Sequence, residues 1–281
     1  MEMATEAVDK ETGLDAKLLK LDDILTEMGK VAVALSGGID STFLLARAHE
    51  VLGDNAIGIT VTTPLVPESD IAFTQDFCEE FGIKQLLIEV DALGCADVRE
   101  NPPDRCYYCK KMDMGAVMEA AREIGAVACD GMNIDDADDY RPGTKATSEL
   151  GMRSPLAEAG FTKSDIRMAA KDMGLSIWDK PASACLASRI PYGTPLDAET
   201  LRRIGKAEEL LREKGFRQVR VRVHDNGDLA RIEVPADQVA KLCDDPICTD
   251  IVDGLKALGF KYVSCDMQGY RMGSLNEQLE I

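Results

Sequence analysis

The chain has 281 residues, 45% of them hydrophobic and 29% charged, which excludes a disordered polypeptide and suffices for one large globular domain or two modest ones. Against 32 Lys and Arg stand 50 Asp and Glu, a formal net charge of −18, so the overall field repels polyanions and no non-specific grip on nucleic acid is expected. The longest apolar stretches, 31–35 and 56–61, fall far short of the roughly 20 residues a membrane-spanning helix needs. The opening MEMATEAVDKETG is acidic and lacks the basic and apolar regions of a secretory signal, so a cytoplasmic protein with no membrane partner is expected. In that setting the 9 cysteines (78, 95, 106, 109, 129, 185, 243, 248 and 265) read as thiols rather than as a disulfide framework, with Cys78 and Cys129 in apolar surroundings.

Leu14, Leu18, Leu21, Leu25 and Met28 recur at helical spacing, so an amphipathic helix over 14–29 leads in and stops at Gly29. An apolar run at 31–35 breaks off at Ser36-Gly37-Gly38, and a helical pattern resumes from Asp40. Strands near 56–61, 85–90 and 126–129 then alternate with helices near 70–81 and 110–124. This predicts an α/β fold with a parallel sheet covered on both faces, whose ligands bind at the carboxyl ends of the strands. Residues 131–195 read as loop-rich, with acids at 135, 136, 138 and 139, the turn Arg141-Pro142-Gly143, and one helix over 163–173 capped by Thr162. After Asp197 come a helix, a strand at 218–224, an Asn226-Gly227 turn, a strand at 229–234, a helix ending near 258 and a strand at 261–265. We place the boundary near Pro195, giving a larger domain over 1–195 and a small α+β domain over 196–281.

Ser36-Gly37-Gly38-Ile39-Asp40-Ser41 closes a strand and opens a helix. Two glycines allow a sharp turn with inward amides, the helix N-terminus adds its dipole, and two serines add hydroxyls, so the loop suits phosphate better than an ordinary βα turn would. No Lys-Ser or Lys-Thr follows, so it is not the P-loop of γ-phosphate chemistry. Gly131-Met132-Asn133-Ile134-Asp135-Asp136 follows a strand on the same rim, and its hard oxygen donors suit Mg²⁺, Asp135 first among them, although a solvated acidic loop has the same composition.

Cys106 and Cys109 form a CxxC, and Cys185 lies between Lys180-Pro181 and Arg189, an electropositive place for a reactive thiol. The CxxC is expected in a loop after Asn101-Pro102-Pro103, which argues against a thioredoxin-like site. His49 and His224 are the only histidines, so a zinc site lacks an evident fourth ligand, whereas three thiolates suit an iron–sulfur cluster with one open iron. Arg220 and Arg222 alternate with Val219, Val221 and Val223 and share one face of a strand; the phosphate of a nucleotide, or Glu233 or Asp228 across the hairpin, would offset their repulsion. Arg189 is a second phosphate candidate. Trp178 reads as packing or ring stacking, and Met114 and Met118 as core.

SGGIDS at 36–41 resembles the signature of the PP-loop ATP pyrophosphatases, in which the loop binds pyrophosphate while a substrate attacks the α-phosphorus. With RCYYCK at 105–110, GMNIDD at 131–136, DYRPG at 139–143, SPL at 154–156 and KPASACLASRIPYG at 180–193, the chain resembles, over roughly 14–269, the LarE family of PP-loop sulfur transferases. The resemblance implies an adenine nucleotide alpha hydrolase-like fold and a small-molecule nucleotide substrate, pyridinium-3,5-biscarboxylic acid mononucleotide. Its carboxylates are adenylated and converted to thiocarboxylates in making the nickel-pincer cofactor of lactate racemase.

ATP would then lie on Ser36, Gly37, Gly38, Asp40, Ser41, Gly131 and Asn133, with Mg²⁺ at Asp40 and Asp135. Arg220 and Arg222 would meet the substrate phosphate, and Cys185 is matched to the active-site cysteine, with Asp40 and Arg189 in catalysis. The sulfur would come from Cys185 itself, leaving dehydroalanine, or from a sulfide carried by a [4Fe–4S] cluster on Cys106, Cys109 and Cys185, the variant that the CxxC favours. The family further implies a homo-oligomer and dealings with other nickel-pincer biosynthesis proteins. A PP-loop tRNA thiolase, an ammonia-dependent amidating ligase and a non-enzymatic iron–sulfur carrier are the competing readings; the negative charge opposes the first and the intact SGGIDS loop the last.

Overall fold

A computed structural model of the chain describes residues 2–136, 147, 149–181 and 184–271, with side chains from residue 13 onward. Asp138, Asp139, the Arg141-Pro142-Gly143 turn, Ala182 and Ser183 lie outside the described residues. Contacts divide the chain into two units, one of residues 1–62, 70–90 and 106–182, the other of residues 63–69, 91–105 and 183–281. The division thus falls a dozen residues before Pro195, and two segments of the amino-terminal half join the second unit.

The first unit carries α1 (Glu2–Met28), β1 (Val31–Ala34), α2 (Ile39–Leu52), β2 (Ala56–Thr62), most of α3 (Glu68–Phe81) and β3 (Lys84–Glu89). The strands pair in the order β3-β2-β1-β4, where β4 is Val127–Cys129, and every pair is parallel. Period-two alternation explains how both faces of β1 and β4 are covered, whereas Leu86 and Leu87 on the edge strand β3 are exposed, so the expected cover does not extend to that edge. Val31 and Val33 point into a core with Leu21, Leu25, Phe43, Leu44, Phe77 and Phe161, whereas Ala32 and Ala128 meet Met114, Val117 and Ala121 on the other side. The chain runs outward from β1 through β2 to β3 and then returns to the far side of β1 for β4. The strand order therefore reverses between β1 and β4, and the loops leaving those two strands flank the crevice where parallel sheets take their ligands.

A short α4 (Ala96–Arg99) belongs to the second unit. The next helix, α5 (Arg105–Glu123), begins earlier than the 110–124 read from the sequence. The apolar periodicity on which that reading rests begins only at Met114, so a first turn made of Cys, Tyr and Lys gives no periodic signal. As a correction, the CxxC is the opening turn of a helix and not a loop. After β4 come α6 (Pro155–Ala159) and α7 (Lys163–Asp172), the latter closed by a capping box in which Thr162 accepts from the Asp165 amide and Asp165 from the Thr162 amide.

In the second unit α8 (Ala198–Glu213) is capped by Asp197. It is followed by β5 (Arg220–His224), β6 (Leu229–Glu233), α9 (Ile247–Ala257) and β7 (Tyr262–Cys265). The sheet order is β5-β6-β7, with β5 and β6 an antiparallel hairpin and β7 parallel to β6. Leu201, Ile204, Leu211, Val221, Val223 and Ile232 are among its buried apolar residues. Among the described residues no helix is long and apolar enough to cross a membrane.

Candidate active site

In the first unit the chain leaves β1 into Leu35–Gly38 and enters α2 with Gly38 as its cap. Gly37 has φ +73°, and a Cβ there would meet the Asp70 carbonyl oxygen at 3.0 Å, so both its backbone twist and the neighbouring chain require glycine. The Ser41 hydroxyl accepts from the Ser36 amide at 3.2 Å, lies 3.1 Å from the Ser36 hydroxyl and donates to the Gly38 carbonyl at 3.2 Å. The Ser36 and Ser41 hydroxyls thus hold the turn in shape at the start of α2, taking up the Ser36 and Gly38 amides. A glycine turn opening onto a helix N-terminus is the chemistry of an anion cradle.

The loop after β4 closes on this cradle. A Cβ on Gly131 would stand 2.8 Å from the Ser41 amide nitrogen and 3.1 Å from the Asp40 carbonyl carbon, so the two loops touch backbone to backbone. Asn133 is buried, its side chain accepting from the Asp135 amide and donating to Asp136 at 2.8 Å. Asp135 is exposed and accepts from the Lys163 amide at the start of α7 at 2.8 Å, while Asp136 is paired with the Lys163 ammonium at 3.0 Å.

Two further residues join this site, neither of them assigned to it from the sequence. Asp130, directly after β4, is buried; its Oδ1 accepts from the Ser154 hydroxyl at 2.7 Å and the Met132 amide at 3.1 Å, and its Oδ2 is buried without a hydrogen-bond partner among the described residues. Burial pushes its carboxyl above the ordinary range against those two bonds. Lys180 comes from far along the chain, donating to the Gly37 carbonyl at 2.8 Å and to Asp70 at 2.9 Å over the Phe73 ring. It supplies a cation to a loop whose own sequence has none.

Cys106 and Cys109, three residues apart in the first turn of α5, share a helix face; Cys109 donates to Asp113 at 3.6 Å. Burial pushes the Asp113 carboxyl upward. Cys78 and Cys129 are buried as expected, burial raising their thiols to about 11 and about 12.

In the second unit Cys185 caps a single 3₁₀ turn, Leu186–Arg189. Its carbonyl accepts from the Ser188 amide at 3.1 Å, the Ser188 hydroxyl at 2.8 Å and Arg189 Nη1 at 2.9 Å, while the next amide, Leu186, donates to Leu65 at 2.8 Å. Arg189 is wholly buried, forked onto Glu208 at 2.7 and 2.9 Å and donating also to the Ala184 carbonyl. Here the structure corrects the expectation of an open phosphate contact, because the Arg189 guanidinium is committed to bracing the Cys185 backbone. Burial alone would raise the Glu208 carboxyl, but Arg189, Arg220 and Arg212 outweigh it and hold it below the ordinary range.

Arg220 and Arg222 are both buried on β5. Arg222 donates to the Ser188 carbonyl at 2.6 Å and pairs with Glu233 at 2.9 Å; Arg220 donates to the Val219 carbonyl and lies over Tyr270. The expected partner Glu233 is thus present, in a buried pair rather than a surface one. Burial, with Arg189 beside it, pushes the Arg220 guanidinium below its ordinary value. Trp178 is exposed beneath Lys171, whereas Met114 is core.

Hard carboxylate oxygens at the carboxyl end of the sheet, including the unbonded Asp130 Oδ2, fit a divalent cation. Three thiols fit an iron–sulfur cluster in donor chemistry, but among the described residues no three His, Cys, Asp or Glu side chains are gathered as ligands of one metal ion. A parallel sheet with a serine-glycine cradle at its switch point defines a PP-loop nucleotide-binding enzyme. In keeping with this, the NAD synthase family profile matches residues 16–102.

An uncharacterized protein of Synechocystis sp. is 39% identical, covering 95% of this chain and 99% of its own length. The pyridinium-3,5-bisthiocarboxylic acid mononucleotide synthase of Lactiplantibacillus plantarum is 40% identical, covering 99% and 97%. A tRNA-specific 2-thiouridylase of Caulobacter sp. is 26% identical, over 60% of this chain and 51% of its own. The chain belongs to the LarE family.

Proposed function

We propose that the protein uses ATP to convert the carboxylates of pyridinium-3,5-biscarboxylic acid mononucleotide to thiocarboxylates, releasing AMP and pyrophosphate. Similarity to the L. plantarum synthase along almost the whole of both chains supports the substrate. The observation that carries the chemistry is that one chain holds both an anion cradle at Ser36–Ser41 and a cysteine whose backbone is clamped by a buried arginine.

In this reading the pyrophosphate of ATP lies on Ser36–Ser41 with Lys180 behind it, and the substrate carboxylate attacks the α-phosphorus. Asp40 and Asp135 would hold Mg²⁺, which neutralises charge on the leaving pyrophosphate. Adenylation turns a poor electrophile into a good one. The Cys185 thiolate can then attack the acyl carbon and expel AMP, and loss of the Cα proton with cleavage of its Cβ–S bond frees the thiocarboxylate and leaves dehydroalanine. A [4Fe–4S] cluster on Cys106, Cys109 and Cys185 would instead supply an iron able to carry exogenous sulfide, sparing the cysteine. Arg222 and Arg220 would meet the substrate phosphate. We further infer a cytoplasmic homo-oligomer working beside other nickel-pincer biosynthesis proteins.

The test measures iron, acid-labile sulfide and thiocarboxylate formation on protein purified without oxygen, with Cys106→Ala alongside. A four-iron cluster lost in the variant supports the sulfide route. Metal-free wild-type protein that makes thiocarboxylate and acquires dehydroalanine at position 185 supports the single-use donor. Absence of thiocarboxylate from ATP, Mg²⁺, the mononucleotide and sulfide with either form overturns the function.

A further inference from the structure

Arg105 ends the segment 91–105 of the second unit and opens α5. It is 2% exposed. Its Nη1 donates to the Asn101 side chain and, at 3.5 Å, to the Ala187 carbonyl; its guanidinium carbon lies 5.9 Å from the Tyr192 ring centre; and its Nη2 donates to the Cys185 sulfur at 3.9 Å. Asn101, itself fully buried, is fixed in turn by donating to the Pro191 carbonyl at 2.9 Å. The fork of Arg105 is therefore held from one side by Asn101 and aimed from the other at the thiol. Arg189 secures the backbone of Cys185, and Arg105 meets its sulfur.

We propose that Arg105 is a catalytic residue of the sulfur-transfer step, donating to the carbonyl oxygen of the acyl adenylate as sulfur adds to its carbon. The proposal rests on the reading that Cys185 delivers that sulfur. When the thiolate attacks, its electron pair forms the C–S bond, and the π pair of the carbonyl moves onto oxygen. Collapse of that oxyanion expels AMP with the C–O bond pair, and no redox partner is needed. The oxyanion stands two bonds from the sulfur, so a donor 3.9 Å from the sulfur is in range to reach it at an oxyanion-hole distance of about 2.7–3.1 Å. A planar guanidinium holds its N–H donors in a fixed fork, which an ammonium could not present with the same geometry. Buried away from water, this donor acts where its field is least screened.

The experiment separates the two half-reactions in Arg105→Gln, Arg105→Lys, Arg105→Ala and Cys185→Ala. Mononucleotide-dependent exchange of pyrophosphate into ATP reads adenylation, and thiocarboxylate formed in a single turnover reads sulfur transfer. Arg105→Gln is expected to keep exchange within about threefold while sulfur transfer falls about 10²–10³-fold, as when an oxyanion donor is removed. Arg105→Lys should recover part of the rate, and millimolar guanidinium should restore transfer in Arg105→Ala, which a merely structural arginine would not show. An equal fall in exchange and transfer, or transfer at the wild-type rate in Arg105→Gln, overturns the assignment. So does failure of both rescues in folded variants. If Cys185→Ala transfers sulfur normally, it is the underlying reading of Cys185 that fails.

Discussion

If the pyrophosphate of ATP lies on the cradle as proposed, Lys180 sets how well it is held, because the Ser36–Ser41 loop has no cation of its own and this ammonium touches the Gly37 carbonyl. A hydrogen bond to a charged group contributes about 1.5–3 kcal/mol, so Lys180→Ala should weaken ATP binding roughly 10–100-fold, read by calorimetric titration. Gly131 acts by absence: a methyl 2.8 Å from the Ser41 nitrogen forces the two loops apart. Gly131→Ala is expected to cost about 1–3 kcal/mol in thermal stability by overpacking and to impair exchange of pyrophosphate into ATP.

Glu208 illustrates the opposite case, a buried charge kept by its partners. Removing one side of a buried pair costs about 3–5 kcal/mol, so Glu208→Gln should lower the melting temperature markedly at neutral pH. Its folded pKa lies below the unfolded value near 4.3, so the stabilisation is complete above about pH 4.3 and fades as pH falls through the lower folded pKa. Melting curves of wild type and Glu208→Gln should therefore converge in acid. A difference independent of pH would show that the pair does not act through ionisation.

At the scale of elements, the sequence is most informative where a buried strand leaves a short apolar run between turn residues and helices. The four parallel strands and the hairpin at Asn226-Gly227 follow from alternation and turn chemistry, and the structure has them within a residue or two of the expected ends. The first turn of α5 is illegible because helix periodicity is a statement about buried apolar residues, and Cys106 and Tyr107 belong to no apolar stripe. The cradle is legible for a related reason: its glycines and serines are needed locally, within one turn. Lys180, Asp130 and Arg105 are illegible because what gives each a role is a partner distant in sequence, the Gly37 carbonyl, Ser154 and Cys185 respectively. Arg189 shows the limit from the other side: a cation beside a cysteine motif reads as an anion site, and only its fork onto Glu208 reveals a brace. Local capping, by contrast, can be tested as read. Thr162→Ala removes half of the α7 capping box and should cost about 1 kcal/mol in denaturant unfolding, with Thr162→Ser nearly neutral.

At the scale of the whole molecule, the choice between a nucleotide and a tRNA as sulfur acceptor turns on charge. The similarity to a tRNA-specific 2-thiouridylase covers 60% of this chain, so the ATP chemistry alone does not separate the two. A tRNA binder needs basic surface that releases condensed counterions from several phosphates at once. Here 50 acids outnumber 32 basic residues, and three of the arginines that might have served, Arg189, Arg220 and Arg222, are buried. Arg189 and Arg222 are moreover paired with Glu208 and Glu233. A buried guanidinium on a strand can still accept one phosphate brought to it in a pocket, which suits a mononucleotide and not a polyanion spanning tens of ångströms. Filter binding of bulk tRNA at about 50 mM salt, where electrostatic binding is strongest, should show no saturable retention at micromolar protein, while the mononucleotide shifts the melting temperature at the same salt. Saturable tRNA binding that weakens steeply with salt would reverse the assignment and require a localised basic patch.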